Sequence, residues 1–78
     1  MLSLKELVEL IARSLVDNPA MVKVNEVSSE QSILLELSVA PEDMGKVIGK
    51  QGRIAKAIRT VVKAAAIKES KRVTVEII

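Results

Sequence analysis

The residues best placed to do chemistry form one short run, Val47-Ile48-Gly49-Lys50-Gln51-Gly52-Arg53-Ile54. Two glycines three positions apart permit unusual dihedrals and close backbone approach, with a lysine between them and an arginine directly after. A helix following Gly52 adds its first amides and its positive dipole end to the charges of Lys50 and Arg53, and a phosphate group is the natural occupant of such a bend. The chemistry is that of holding a ligand without breaking a bond. On these residues alone the same loop is also an ordinary tight turn between helices, so the surrounding pattern has to decide.

Little else in the chain is reactive. There is no His, Cys, Phe, Tyr or Trp, which removes imidazole and thiol nucleophiles, the usual nitrogen and sulfur metal ligands, and every aromatic platform for stacking a base. Gly45-Lys46-Val47-Ile48-Gly49-Lys50-Gln51 superficially follows a nucleotide-binding G-x-x-x-x-G-K-[ST] loop, but its spacing is one residue short. Gln51 stands where a hydroxyl should hold magnesium, and no strand runs directly into the loop. The adjacent carboxylates Glu42 and Asp43 read as a response to a helix dipole and not as an acid/base pair. No enzymatic activity, cofactor or metal is expected.

The charges are unevenly placed. Residues 1–43 carry three basic and eight acidic side chains, whereas residues 44–72 carry nine basic side chains against Glu69 alone, although the whole chain is only +2. A basic segment of that density attracts polyanions, while the acidic half limits indiscriminate binding. With 78 residues, 8.5 kDa, 49% apolar and 28% charged residues, the expectation is one domain spanning 1–78 with a real core. Neither a membrane-length apolar run nor a basic-then-apolar leader is seen, so the expected location is cytoplasmic.

The elements that must position the loop follow from periodicity. Ser3-Leu4-Lys5-Glu6 fits a capping box ahead of apolar positions Leu4, Leu7, Val8, Ile11 and Leu15, which predicts a helix over 4–16, ended by Asp17-Asn18-Pro19. Met21 to Val27 and Ile33 to Val39 read as strands around a loop at Ser28-Ser29-Glu30-Gln31. Pro41-Glu42-Asp43 starts a short helix over 42–48, which Gly49 stops. After Gly52 a longer helix runs to about Ile67, with Ile54, Ala57, Ile58, Val61, Val62 and Ala65 as its apolar face. Arg53, Lys56, Arg59 and Lys63 then share an opposite arc of about 120°. Val73, Val75 and Ile77 form a closing strand. The fold class is α+β: helix, strand, strand, helix, helix, strand, in two layers with helices packed on one face of a three-stranded mixed sheet.

The helix, Ile48-Gly49-Lys50-Gln51-Gly52, longer helix and flanking strands together resemble a KH domain, with Gly49 to Gly52 matching its G-x-x-G signature. One helix and one strand precede the common core, as in the type II arrangement. The length and the run from Val39 to Arg59 are similar to those of the KhpA group, small bacterial single-KH RNA-binding proteins. This resemblance covers essentially the whole chain. It implies that about four nucleotides of single-stranded RNA are clamped between the loop with its flanking helices and the sheet edge with its neighbouring loop. Lys50 and Gln51 would grip the sugar-phosphate backbone, and Ile48 and Ile54 would support the groove. Ile58 matches a groove position but falls on the core side of its helix. Lys46, Arg53 and Lys56 lie close enough for phosphate contacts; Arg59 and Lys63 are further along and steer.

Membership also implies homodimers, pairing with a larger Jag-like (KhpB) KH protein, and RNA chaperoning or post-transcriptional control that affects cell division, cell shape and cell wall growth. Without aromatic rings the groove lacks about 1–3 kcal/mol of stacking per base, so affinity per copy is expected to be modest and sequence-tolerant. The alternatives are a KH-fold protein-interaction module with little RNA binding, and single-stranded or double-stranded DNA as the polyanion.

Overall fold

A computed structural model describes residues 2–78. Helix α1, Leu4–Leu15, starts as its sequence predicts: the Ser3 amide donates to Glu6 Oε1 at 3.0 Å and the Glu6 amide donates to Ser3 Oγ at 3.1 Å. Both bonds satisfy amides that a helix start otherwise leaves unpaired. Val16 is already extended and ends the helix one residue before its expected limit. Pro19 then opens a 3-10 turn, Pro19–Met21, closed by the Met21 amide on Asn18 O and the Val22 amide on Pro19 O. The first strand therefore begins at Lys23 and not at Met21, because the proline's fixed φ favours a turn over extension.

Strands β1, Lys23–Ser28, and β2, Ser32–Ser38, form an antiparallel hairpin with Val24 opposite Leu37. Strand β3, Arg72–Ile77, lies parallel to β2 on its other side, with Val75 beside Leu35. The sheet is thus mixed, in the order β1-β2-β3, and β3 has one open edge. Alternation puts Val24, Ile33, Leu35, Leu37, Val73 and Val75 on one face. Against them pack Val8 and Ala12 of α1, Val47 of helix α2 (Met44–Ile48), and Ile58, Val62 and Ala66 of helix α3 (Arg53–Ala66). Val27 falls on the opposite, open face and is exposed.

The expected short helix over 42–48 is two pieces: a 3-10 turn at Pro41–Asp43, then α2. Helix α3 likewise gives way to a 3-10 turn at Ile67–Glu69. Its apolar face is rotated from expectation. Ala55, Ile58, Val62 and Ala66 are buried, Ile54 is half-buried, and Ala57, Val61 and Ala65 are exposed. Seven of the fourteen residues of α3 are alanine or valine on competing arcs, and side chains that small do not define a direction by periodicity alone. No helix among the described residues is long and apolar enough to cross a membrane.

Candidate nucleic-acid interface

The loop between α2 and α3 is built on three positive φ angles. Gly49 has φ 75° and ψ 174°, Gln51 φ 59° and ψ 25°, and Gly52 φ 73° and ψ 14°. Gly49 ends α2, its amide donating to Gly45 O at 2.9 Å. It has to be glycine for a second reason: a β-carbon there would fall 2.5 Å from Ile54 Cγ1. Ile54 packs against the core, so the glycine lets the chain cross over a fixed side chain. Gly52 has open space around it, and only its left-handed backbone favours glycine. The Gly52 amide donates to Gly49 O at 3.1 Å and the Arg53 amide to Lys50 O, so the bend spends two of its amides on its own closure. This leaves fewer free amides for a phosphate than a simple helix start offers.

Lys50, Gln51, Arg53 and Lys56 are all exposed around this bend, and the Arg53 guanidinium donates to Gln51 Oε1 at 3.2 Å. Ile48, at 37% exposure, presents an apolar surface beside the loop. The structure therefore brings together eight of the nine residues singled out by sequence: Ile48, Gly49, Lys50, Gln51, Gly52, Arg53, Ile54 and Lys56. Lys46 is adjacent but otherwise engaged. Its ammonium donates to Asp17 Oδ2 at 2.6 Å and to Asp43 Oδ1 at 3.2 Å. These two hydrogen bonds, Asp17's first, raise the Lys46 pKa above its usual value.

Asp43 does not serve the helix dipole as its position suggested. Its side chain is fully buried, makes no cap on α2, and accepts the Asp17 amide at 3.2 Å and the Asn18 amide at 3.0 Å. Burial pushes this carboxyl up, but the two amides and the Lys46 ammonium outweigh burial and hold it below the usual aspartate range. The result is a tether between the end of α1 and the start of α2, six residues before Gly49. The i,i+3 spacing of Asp43 and Lys46 is visible in the sequence; the partners at positions 17 and 18 are not.

Further along α3, Arg59 is exposed, as expected, but on the flank facing β3. Its Nε donates to Val75 O at 3.1 Å, on the open edge of the sheet. Ile58 is buried in the core, 3% exposed. Among the described residues no group of His, Cys, Asp or Glu is arranged to hold a metal ion.

A three-stranded mixed sheet preceded by one helix, with a G-x-x-G bend joining two helices on its covered face, is a type II KH domain. The family model described as KhpA/KhpB, KH domain matches residues 5–77. The chain belongs to that family. It is 79% identical over 75 residues to the RNA-binding protein KhpA of Clostridium perfringens, covering 96% of this chain and 100% of that one. It is 51% identical over 78 residues to the RNA-binding protein KhpA of Aquifex aeolicus, covering 100% and 99%. Among solved structures it is similar to Aquifex aeolicus Era bound to GDP and AlF4−, with a TM-score of 0.69 at 20% identity, over 95% of this chain and 29% of Era. A structure of Era with MgGDPNP and nucleotides 1506–1542 of 16S ribosomal RNA gives 0.70, at 20% identity and 28% of Era. At that identity the likeness is one of fold.

Proposed function

We propose that this chain binds single-stranded RNA, without catalysis, by seating the sugar-phosphate backbone on the Gly49 to Gly52 bend. The single observation that carries this reading is the bend itself: three positive-φ residues hold an exposed Lys50-Gln51 tip between two helices, with Arg53 and Lys56 alongside. A tip of that shape can approach a polyanion closely while its charges stay mobile. The names of its close relatives support the same reading. Ile48 and Ile54 would form the apolar wall beside the first bases, and Lys46, held by two carboxylates, is the least free of the candidate cations.

One KH unit over residues 1–78 acts alone or in pairs, in the cytoplasm, as an RNA chaperone or post-transcriptional regulator. Its partners are a second copy and a larger Jag-like (KhpB) KH protein, with effects on cell division, cell shape and wall growth. Two engaged sites on one RNA raise affinity that a single groove without aromatic rings cannot supply. Exposed apolar side chains away from the bend, Leu10 at 53% and Val61 at 47%, support protein contacts.

The test is a titration of labelled single-stranded RNA with the wild-type chain and with Lys50→Asp/Gln51→Asp. Loss of binding by a variant with unchanged circular dichroism supports the assignment, and unchanged affinity refutes it. Equal loss on RNA and DNA oligomers would assign the bend to phosphate without sugar preference.

A further inference from the structure

Among the described residues, Lys46 is the one cation beside the bend that is held in a salt bridge. Asp43, Lys46 and Gly49 follow one another at i,i+3 spacing along α2, a row that shares one helix face and runs into the bend. Three residues are about 4.5 Å of helix axis, so a lysine at this position has the length to reach a phosphate next to the one seated on the bend. Its ammonium is instead drawn to the end of α1, donating to Asp17 Oδ2 at 2.6 Å and to Asp43 Oδ1 at 3.2 Å.

The two carboxylates are not equivalent. Asp43 is fully buried and accepts the amides of Asp17 and Asn18, so it ties α1 to α2 with or without the lysine. The Asp17 side chain is 83% exposed, and among the described residues Lys46 is the one hydrogen-bond partner of its carboxylate. It also sits just beyond the C-terminal end of α1, where the helix dipole disfavours negative charge. The tether uses only the main-chain amide of Asp17, which any residue but proline supplies. Neither the tether nor the helix therefore accounts for an acid at 17; what its carboxylate does is occupy one cation of the basic half.

We propose that Asp17 is an internal competitor of the RNA backbone: its carboxylate stands in for a phosphate on Lys46, withholds that ammonium from the strand, and sets affinity below what the full group of cations around the bend would give. The inference rests on the RNA-binding reading and deepens it. An ammonium has three donors and no acceptor, and carboxylate and phosphate oxygens compete for the same N–H groups. An exposed pair of this kind is worth up to about fivefold in an equilibrium constant, so one substitution relieves it. Lys46 is then left on Asp43 alone, through the longer of its two bonds.

The test measures fluorescence anisotropy of labelled octauridylate over a salt series, with the wild-type chain, Asp17→Asn, Asp17→Ala, Glu42→Gln, and Lys46→Met alone and combined with Asp17→Asn. Glu42→Gln removes the same charge at an exposed position with no bond to Lys46, and so measures the effect of net charge by itself. Both Asp17 variants are expected to bind about two- to fivefold more tightly than Glu42→Gln, with a salt slope steeper by up to about 0.7, the share of one further phosphate. Adding Lys46→Met should remove that gain, whereas Lys46→Met alone should have a small effect; this non-additivity identifies the pair. The alanine variant keeps the test decisive where the asparagine oxygen still accepts from the ammonium. Asp17 variants that match Glu42→Gln overturn the proposal, as does a gain that survives the loss of Lys46. Weaker binding by both variants with unchanged circular dichroism also overturns it, since Asp17 would then support the site. Failure of the wild type to bind the oligomer at low salt refutes the RNA-binding reading itself, a result unlike any of the others.

Discussion

Gly49 and Ile54 are in contact across the bend: the side chain of one fills the space where the other would carry a β-carbon, at 2.5 to 2.9 Å from three Ile54 atoms. The isoleucine, half-buried, packs against the core and the glycine shapes the candidate RNA site, so core and site are joined by exclusion of a single methyl group.

Gly49→Ala is therefore expected to be the more damaging of the two glycine substitutions. Its backbone at φ 75°, ψ 174° costs a non-glycine residue about 1–3 kcal/mol, and the overlap with Ile54 adds to that. Gly52→Ala meets no neighbour and costs about 1–2 kcal/mol for a left-handed residue. Urea denaturation of both variants gives the order; a smaller loss at Gly49 than at Gly52 would contradict the geometry.

Salt reports how many phosphates are held. With about three to five neutralised, log affinity for single-stranded RNA against log salt should slope near −2 to −3.5. Lys50→Met should make the slope shallower by about 0.7, the share of one phosphate. Lys46→Met should change it less, because that ammonium is already paired with Asp17 and Asp43. A slope near zero would point to protein partners in place of RNA.

The Asp43 tether fixes an acid limb to stability. Its carboxyl is held below the ordinary value of 3.8 in the folded chain, so the unfolded chain binds more protons there. Stability from this group is complete above that value and is lost as pH falls through the lowered one. Lys46 behaves in the opposite sense: its raised pKa gives stability that is present below its ordinary 10.5 and lost as pH rises past it. Asp43→Asn should lower the midpoint of thermal unfolding and flatten the acid limb, whereas Glu42→Gln, at an exposed position, should do neither.

Core and cap contribute on different scales. Leu35→Ala, at a fully buried site of the central strand, should cost about 2–5 kcal/mol, a large share of the about 5–15 kcal/mol typical of a domain. Ser3→Ala removes the capping hydroxyl of α1 and should cost about 0.5–2 kcal/mol. Denaturation midpoints measured on the same day separate the two.

The order of elements was legible because each is bounded by residues with one strong preference. Ser3 and Glu6 start α1, Pro19 follows its end, Pro41 precedes α2, Gly49 stops α2, and strict alternation marks β2. The bend was legible for the same reason, since two glycines bracket two polar residues. What local pattern did not carry was direction around α3. Ala57, Val61 and Ala65 were as apolar as Ala55 and Ala66, and only the packing of the helix on β3 and α1 decides which arc is buried. Arg59 is exposed as expected, but its bond to the sheet was not foreseen. Its partner is a main-chain carbonyl on a strand 16 residues away, and no side-chain pattern announces a main-chain acceptor. Asp43 was hidden likewise by partners 25 and 26 residues earlier.

The dihedrals of the bend are set within the chain itself, by two glycines, by Ile54 beneath it and by two internal amide bonds. RNA seated there as proposed would require no folding of the receptor, with little ordering entropy left to spend at the moment of contact. Encounter is governed by diffusion and charge, so bound strands that differ in sequence should differ chiefly in residence time. A clasp shaped in advance in this way fits the proposed seating of RNA strands of differing sequence.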